Sequence, residues 1–102
     1  MMSINKIILF EVSKKHGLPV YVYDKGKIIS QFSRLKDAFK NIDNLHINYA
    51  AKALSNINIL NIMKDVGCGI DAVSIQEVEL ALYVGFKTDQ IFYTPSGVEL
   101  SE

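Results

Sequence analysis

Gly69-Ile70-Asp71-Ala72-Val73-Ser74-Ile75-Gln76-Glu77-Val78-Glu79-Leu80-Ala81-Leu82-Tyr83-Val84-Gly85 is the stretch on which the fold turns. Ile70 to Val73 is short and apolar apart from Asp71, and it reads as a buried strand. Ser74 and Glu77 have the spacing of a capping box, in which the two side chains satisfy free backbone donors at a helix start. Val78, Ala81 and Leu82 follow at helical spacing and are expected to face inward, with Gly85 ending the helix. One strand thus feeds directly into one helix.

The same unit recurs on both sides. Upstream, Leu45 to Ala51 reads as a strand and Ser55 and Asn56 as caps. Ile59, Leu60 and Met63 form the buried side of the next helix, which Gly67 and Gly69 break. Further back, Pro19 forces an extended entry to Val20-Tyr21-Val22-Tyr23, a β-branched and aromatic run expected to be a strand. Asp24 can cap a helix whose stripe is Ile28, Ile29, Phe32, Leu35 and Phe39, and Asn41 to Asn44 is a turn. Ile4, Ile7, Ile8 and Val12 predict a leading helix over residues 3–15, with Ser3 as its cap and Gly17 as its stop. Downstream, Ile91 to Tyr93 is a further strand stopped by Pro95, and Ser96-Gly97-Val98-Glu99 has the spacing of another capping box.

Residues 1–18 therefore read as an N-terminal helix and lead-in, and 19–102 as one β/α domain. Strands alternating with amphipathic helices imply parallel pairing and right-handed crossovers. The strands are apolar on both faces, as in sheets covered on both sides, yet three helices cannot cover four strands that way. A closed (β/α)8 barrel takes roughly 250 residues. The expected fold class is α/β, the first half of a TIM-like barrel, cut off inside its fourth unit.

Composition narrows the function. The chain has 102 residues, 49% hydrophobic and 22% charged, with eleven basic residues balancing eleven acidic ones. A net charge of zero argues against a strong non-specific hold on nucleic acid or anionic membrane. A single cysteine, Cys68, allows no intrachain disulfide and fits a reducing compartment. No stretch approaches the ~20 apolar residues of a membrane span, and Ile7 to Phe10 is too short for a signal-peptide core. The expectation is a cytoplasmic protein.

Chemistry concentrates in Asn48-Tyr49-Ala50-Ala51-Lys52-Ala53-Leu54-Ser55-Asn56, at the C-terminal end of a strand and in the loop after it. Sites on parallel sheets assemble at that end. Alternation puts Asn48, Ala50 and Lys52 on one face, expected to be the barrel interior. A lysine walled into a cavity is more easily held as the neutral amine that Schiff-base chemistry needs. Otherwise Lys52 leaves a strand end for solvent, its stem lying along apolar surface. Asp71 interrupts an apolar strand on the neighbouring position and is expected within ion-pair reach of Lys52; a purely structural pair or an edge-facing carboxylate would serve as well. The capping box accounts for Ser74 and Glu77 without any catalytic role. His46 and Cys68 lie at the opposite end of the strands, and no ligand set for a metal is expected.

Together these blocks resemble a known family. Pro19-Val20-Tyr21-Val22-Tyr23-Asp24, Tyr49-Ala50-Ala51-Lys52-Ala53 with Ser55-Asn56, Gly69-Ile70-Asp71-Ala72-Val73-Ser74 with Glu77 and Glu79, Gly85-Phe86 and Ile91-Phe92-Tyr93 follow in the order and spacing of the N-terminal part of the diaminopimelate decarboxylase family. That family belongs to the alanine-racemase-like, fold-type-III pyridoxal-phosphate enzymes, with ornithine, arginine and carboxynorspermidine decarboxylases as relatives. The resemblance implies that Lys52 holds pyridoxal 5'-phosphate as a Schiff base, that Asp71 lies beside the lysine and tunes it, and that Glu77 supports the same wall. It implies a decarboxylase acting on meso-diaminopimelate to give L-lysine and CO2, and a homodimer. The family's ring-stacking His, Gly-rich phosphate loop, pyridine-pairing Glu and substrate-binding Arg, Tyr and Cys fall later in the family and have no counterpart here. The ending at Thr94-Pro95-Ser96-Gly97 departs from the commoner Gly/Asn-rich form.

Three readings follow: the N-terminal part of a decarboxylase for diaminopimelate or a related amino acid, a catalytically inert fragment of one, or a pyridoxal-phosphate-binding module without turnover.

Overall fold

A computed structural model describes the protein over residues 5–95. Two compact units divide the chain, residues 1–38 and 39–102.

The first unit holds two helices, α1 (Lys6–His16) and α2 (Lys25–Ala38). Asn5 caps α1, its side chain accepting from the Ile8 amide at 2.9 Å; the expected cap, Ser3, lies outside the described residues. Gly17 ends α1 with φ +80°, a conformation L side chains rarely adopt. Asp24 behaves as expected, accepting from the Lys27 amide at 3.1 Å. The run Val20–Tyr23 does not form the expected strand. A strand exists only as part of a ladder, and among the described residues this run pairs with none. Neither helix contains a buried residue.

The second unit holds β1 (Asn48–Ala50), α3 (Ile57–Asp65), β2 (Gly69–Ala72), α4 (Ile75–Val84) and β3 (Ile91–Tyr93). The strands pair in parallel in the order β1-β2-β3, with Ala50 opposite Asp71 and Asp71 opposite Phe92. β1 is shorter than the expected run from Leu45 to Ala51 because only three of its residues find partners across the ladder. Parallel strands joined through helices make a partial α/β barrel.

Each helix is delimited by the residues that the sequence offers. Asn56 caps α3, accepting from the Asn58 amide at 2.8 Å. Ser74 caps α4, accepting from the Glu77 amide at 3.2 Å, and Gly85 closes it with φ +112°. The Lys64 ammonium donates to the Val84 carbonyl at 3.1 Å, tying α3 to the C-terminal end of α4.

One face of the sheet carries the core. Ala51, Leu60, Ile70, Ala81, Val84 and Phe86 form it, with Tyr49, Met63, Leu80 and Ile91 packed against it. Leu82 was expected inward, but it is 48% exposed. Ala81 and Val84 occupy the inward face of α4, and Leu82 instead borders a hollow of about 290 Å³ with Ile75, Val78, Thr88, Ile91 and Tyr93.

Gly69 fits because nothing larger does. A Cβ there would run into the Asn48 side-chain oxygen and come within 3.0 Å of the Gln90 backbone carbonyl. Backbone cannot yield cheaply, so Gly69→Ala is expected to destabilise the unit by about 1–3 kcal/mol, read as a lower urea midpoint at unchanged m-value.

Cys68 is buried at the N-terminal end of β2, and its thiol donates to the Ile47 carbonyl at 3.2 Å. Burial pushes the thiol above its ordinary value of 9.0, opposed by a backbone hydrogen bond from Tyr49. The folded state then holds the proton more tightly than the unfolded state, so this contribution is intact below pH 9.0 and is lost as pH rises through the higher folded value. The urea midpoint should fall as pH rises above 9.0, and fall less in Cys68→Ala, the difference isolating the thiol from other groups that titrate there.

Candidate functional site

The three residues singled out from the sequence gather at the C-terminal edge of the sheet. Lys52 sits in a 3-10 turn, Ala51–Ala53, directly after β1. Asp71 is the third residue of β2, and Glu77 lies in the first turn of α4, which follows β2. The turn carrying Lys52 packs against β2.

The turn is pinned from below. Tyr49 points to the core face, and its hydroxyl donates to the Leu54 carbonyl at 2.7 Å, bridging the segment that holds Lys52. Ala51 is fully buried in the core while Lys52 is exposed, so the burial expected around the lysine is not present in this chain. The partner expected for it is not engaged either. Among the described residues the ion pair within 4 Å is Lys64 with Asp65, at 3.9 Å. Asp71 instead accepts a hydrogen bond from the Thr94 hydroxyl at 2.6 Å. The register explains the choice: Thr94 follows Phe92 by two residues and so shares the face of Asp71, at the end of the strand beside it.

Glu77 completes only part of a capping box. The Ser74 hydroxyl donates to Glu77 Oε2 at 2.9 Å, while Glu77 Oε1 is buried with no hydrogen-bond partner. A buried acceptor left unsatisfied is costly, and such groups cluster where a ligand or further structure supplies the donor. Chemically, the edge presents an exposed primary amine, a carboxylate on the adjoining strand and a buried carboxylate oxygen still able to accept. An amine so placed can condense with an aldehyde.

Two residues of this edge escaped the sequence reading. Tyr49 looked like an ordinary aromatic strand residue, and its hydroxyl role depends on the turn that follows. Thr94 stands between the strand Ile91 to Tyr93 and the stop at Pro95 with no role assigned by spacing; counting by twos from Phe92 places it on the face of Asp71 once the register is known.

Comparison with known proteins points the same way. Residues 25–101 match the family model of the pyridoxal-dependent decarboxylases, described as their pyridoxal binding domain. The chain belongs to this family. It is 38% identical over 93 residues to a diaminopimelate decarboxylase of Methanothermobacter thermautotrophicus, covering 90% of this chain and 22% of that protein. With a diaminopimelate decarboxylase of Helicobacter pylori it shares 40% identity over 87 residues, 85% of this chain and 21% of the relative. A crystal structure of the Helicobacter pylori enzyme, complexed with L-lysine, superposes with a TM-score of 0.76 at 37% identity, over 87% of this chain and 22% of that one. This member of the decarboxylase family thus spans about a fifth of the length of the curated relatives it matches. Among its described residues no helix is long and apolar enough to cross a membrane.

Proposed function

We propose that this chain supplies the lysine-bearing edge of a pyridoxal-phosphate-dependent amino-acid decarboxylase that converts meso-diaminopimelate to L-lysine and CO2 in the cytoplasm, as a homodimer. The observation that carries the reading is the placement of Lys52 in the turn after β1, on the sheet edge it shares with Asp71. The names of the relatives support the substrate.

Lys52 would bind the cofactor's aldehyde carbon through its ε-nitrogen, with loss of water. Tyr49 holds the turn and so fixes the backbone from which the Lys52 side chain departs. Asp71 presents a carboxylate on the adjoining strand, held by the Thr94 hydroxyl, and Glu77, through its unsatisfied Oε1, would accept a donor arriving at the same edge. When bound, pyridoxal phosphate supplies an electron sink for the pair left as CO2 departs.

The exposure of Lys52 supports a second reading for the 102-residue chain alone: it takes up the cofactor without turning over substrate. One experiment separates the two. The purified chain is mixed with pyridoxal phosphate and desalted, and carboxyl-labelled diaminopimelate is added. A retained absorbance band with labelled CO2 supports the decarboxylase, a retained band without CO2 supports the cofactor-holding reading, and no retained band overturns both.

A further inference from the structure

We infer that Thr94 is a positioning residue that parks the Asp71 carboxylate on β3's side of the sheet and thereby keeps the Lys52 amine unpaired and reactive. The inference rests on the reading of Lys52 as the reacting amine, but its test needs no cofactor.

Asp71 lies between two possible partners. On one side is Ala50, its register partner, with Lys52 two residues further on in a turn that packs against β2. On the other is Phe92, with Thr94 two residues further on. The carboxylate has chosen the second side, accepting from the Thr94 hydroxyl at 2.6 Å. That length belongs to a charge-assisted O–H···O⁻ bond, one of the stronger classes. Thr94 is itself held in place, its amide donating to the Ala72 carbonyl at 2.9 Å. Its β-branched side chain also has few rotamers open to it, so the hydroxyl is presented in a defined direction.

The alternative partner is a flexible ammonium on a four-carbon stem. An ammonium salt-bridged to a carboxylate is held in its protonated, non-nucleophilic form. With Oδ1 anchored by Thr94, the carboxylate is held on β3's side, and the exposed amine stays available to an incoming carbonyl carbon. Thr94 touches neither the amine nor the aldehyde; it acts only through Asp71.

The test measures acylation of Lys52 by limiting N-hydroxysuccinimidyl acetate on the full chain, by peptide mass mapping, with the exposed Lys87 as internal reference. Thr94→Val removes the hydroxyl at nearly constant shape and should slow Lys52 relative to Lys87 about threefold, the scale set by an exposed ion pair. Thr94→Ser restores the donor and should react like the parent. In an Asp71→Asn background, Thr94→Val should change nothing, because no carboxylate remains to swing across. Circular dichroism checks each fold, and Thr94→Ala replaces the valine variant if that one fails to fold. Equal Lys52 rates in the parent and the valine variant would overturn the inference, as would slowing that persists with Asp71→Asn. Neither result bears on whether Lys52 binds pyridoxal phosphate.

Discussion

Truncating Ile70 to alanine should unfold the second unit of this protein at moderate urea, and Leu60→Ala should do the same. Ile70 is fully buried at the centre of β2, the middle strand, and Leu60 is fully buried on α3. Both belong to a cluster of six buried residues at the centre of the core, among the described residues. Removing a large aliphatic side chain from such a site forfeits its transfer energy and leaves a cavity that neighbours fill incompletely, at about 2–5 kcal/mol. A small domain has a net stability of about 5–15 kcal/mol, so the loss is a large share of the total. Urea titration followed by circular dichroism measures it. Leu82→Ala on the same helix layer is the control: Leu82 is half exposed, and its truncation should cost far less than either core change.

Replacing Lys52 should abolish stable retention of pyridoxal phosphate while leaving the fold intact. Lys52 is exposed and makes no ion pair within 4 Å among the described residues, so its removal costs the structure little. Two variants divide the chemistry. Lys52→Ala removes both amine and charge. Lys52→Arg keeps the charge but supplies a guanidinium that stays protonated and cannot attack a carbonyl. If a covalent amine is what matters, both variants lose the band that survives desalting. If Lys52 merely attracts the phosphate by charge, the arginine variant should retain it.

What could be read from the residues divides along one physical line. The β2–α4 unit was legible because its signals are local: Ser74 and Glu77 announce the helix start and Gly85 its end, and each acts within a few residues. That Lys52 and Asp71 lie toward the C-terminal ends of neighbouring strands was legible from chain position, but the alternation that put Lys52 inside does not reach it, because it sits in a 3-10 turn and is exposed. Partners across strands were not legible. Val20–Tyr23 has strand composition, but composition supplies no ladder partner. Asp71 was rightly expected to need a partner, yet which neighbour provides it depends on register, and the structure gives Thr94 rather than Lys52. Leu82 shows the same lesson on a helix: helical spacing does not say how wide a stripe the neighbours cover, and here they cover Ala81 and leave Leu82 half exposed. The small size of Gly69 follows from the side chain of Asn48 lying across it, a contact no spacing reveals.

The chain has ten lysines, most of them exposed, and any of them can react slowly with an aldehyde. Site selectivity is therefore the measurement closest to the central claim. The protein is mixed with stoichiometric pyridoxal phosphate, reduced with borohydride to fix the carbon–nitrogen bond, digested and mapped by mass spectrometry. The added mass should lie predominantly on the peptide containing Lys52. A label spread across the exposed lysines, with Lys52 no richer than Lys87, would contradict the account.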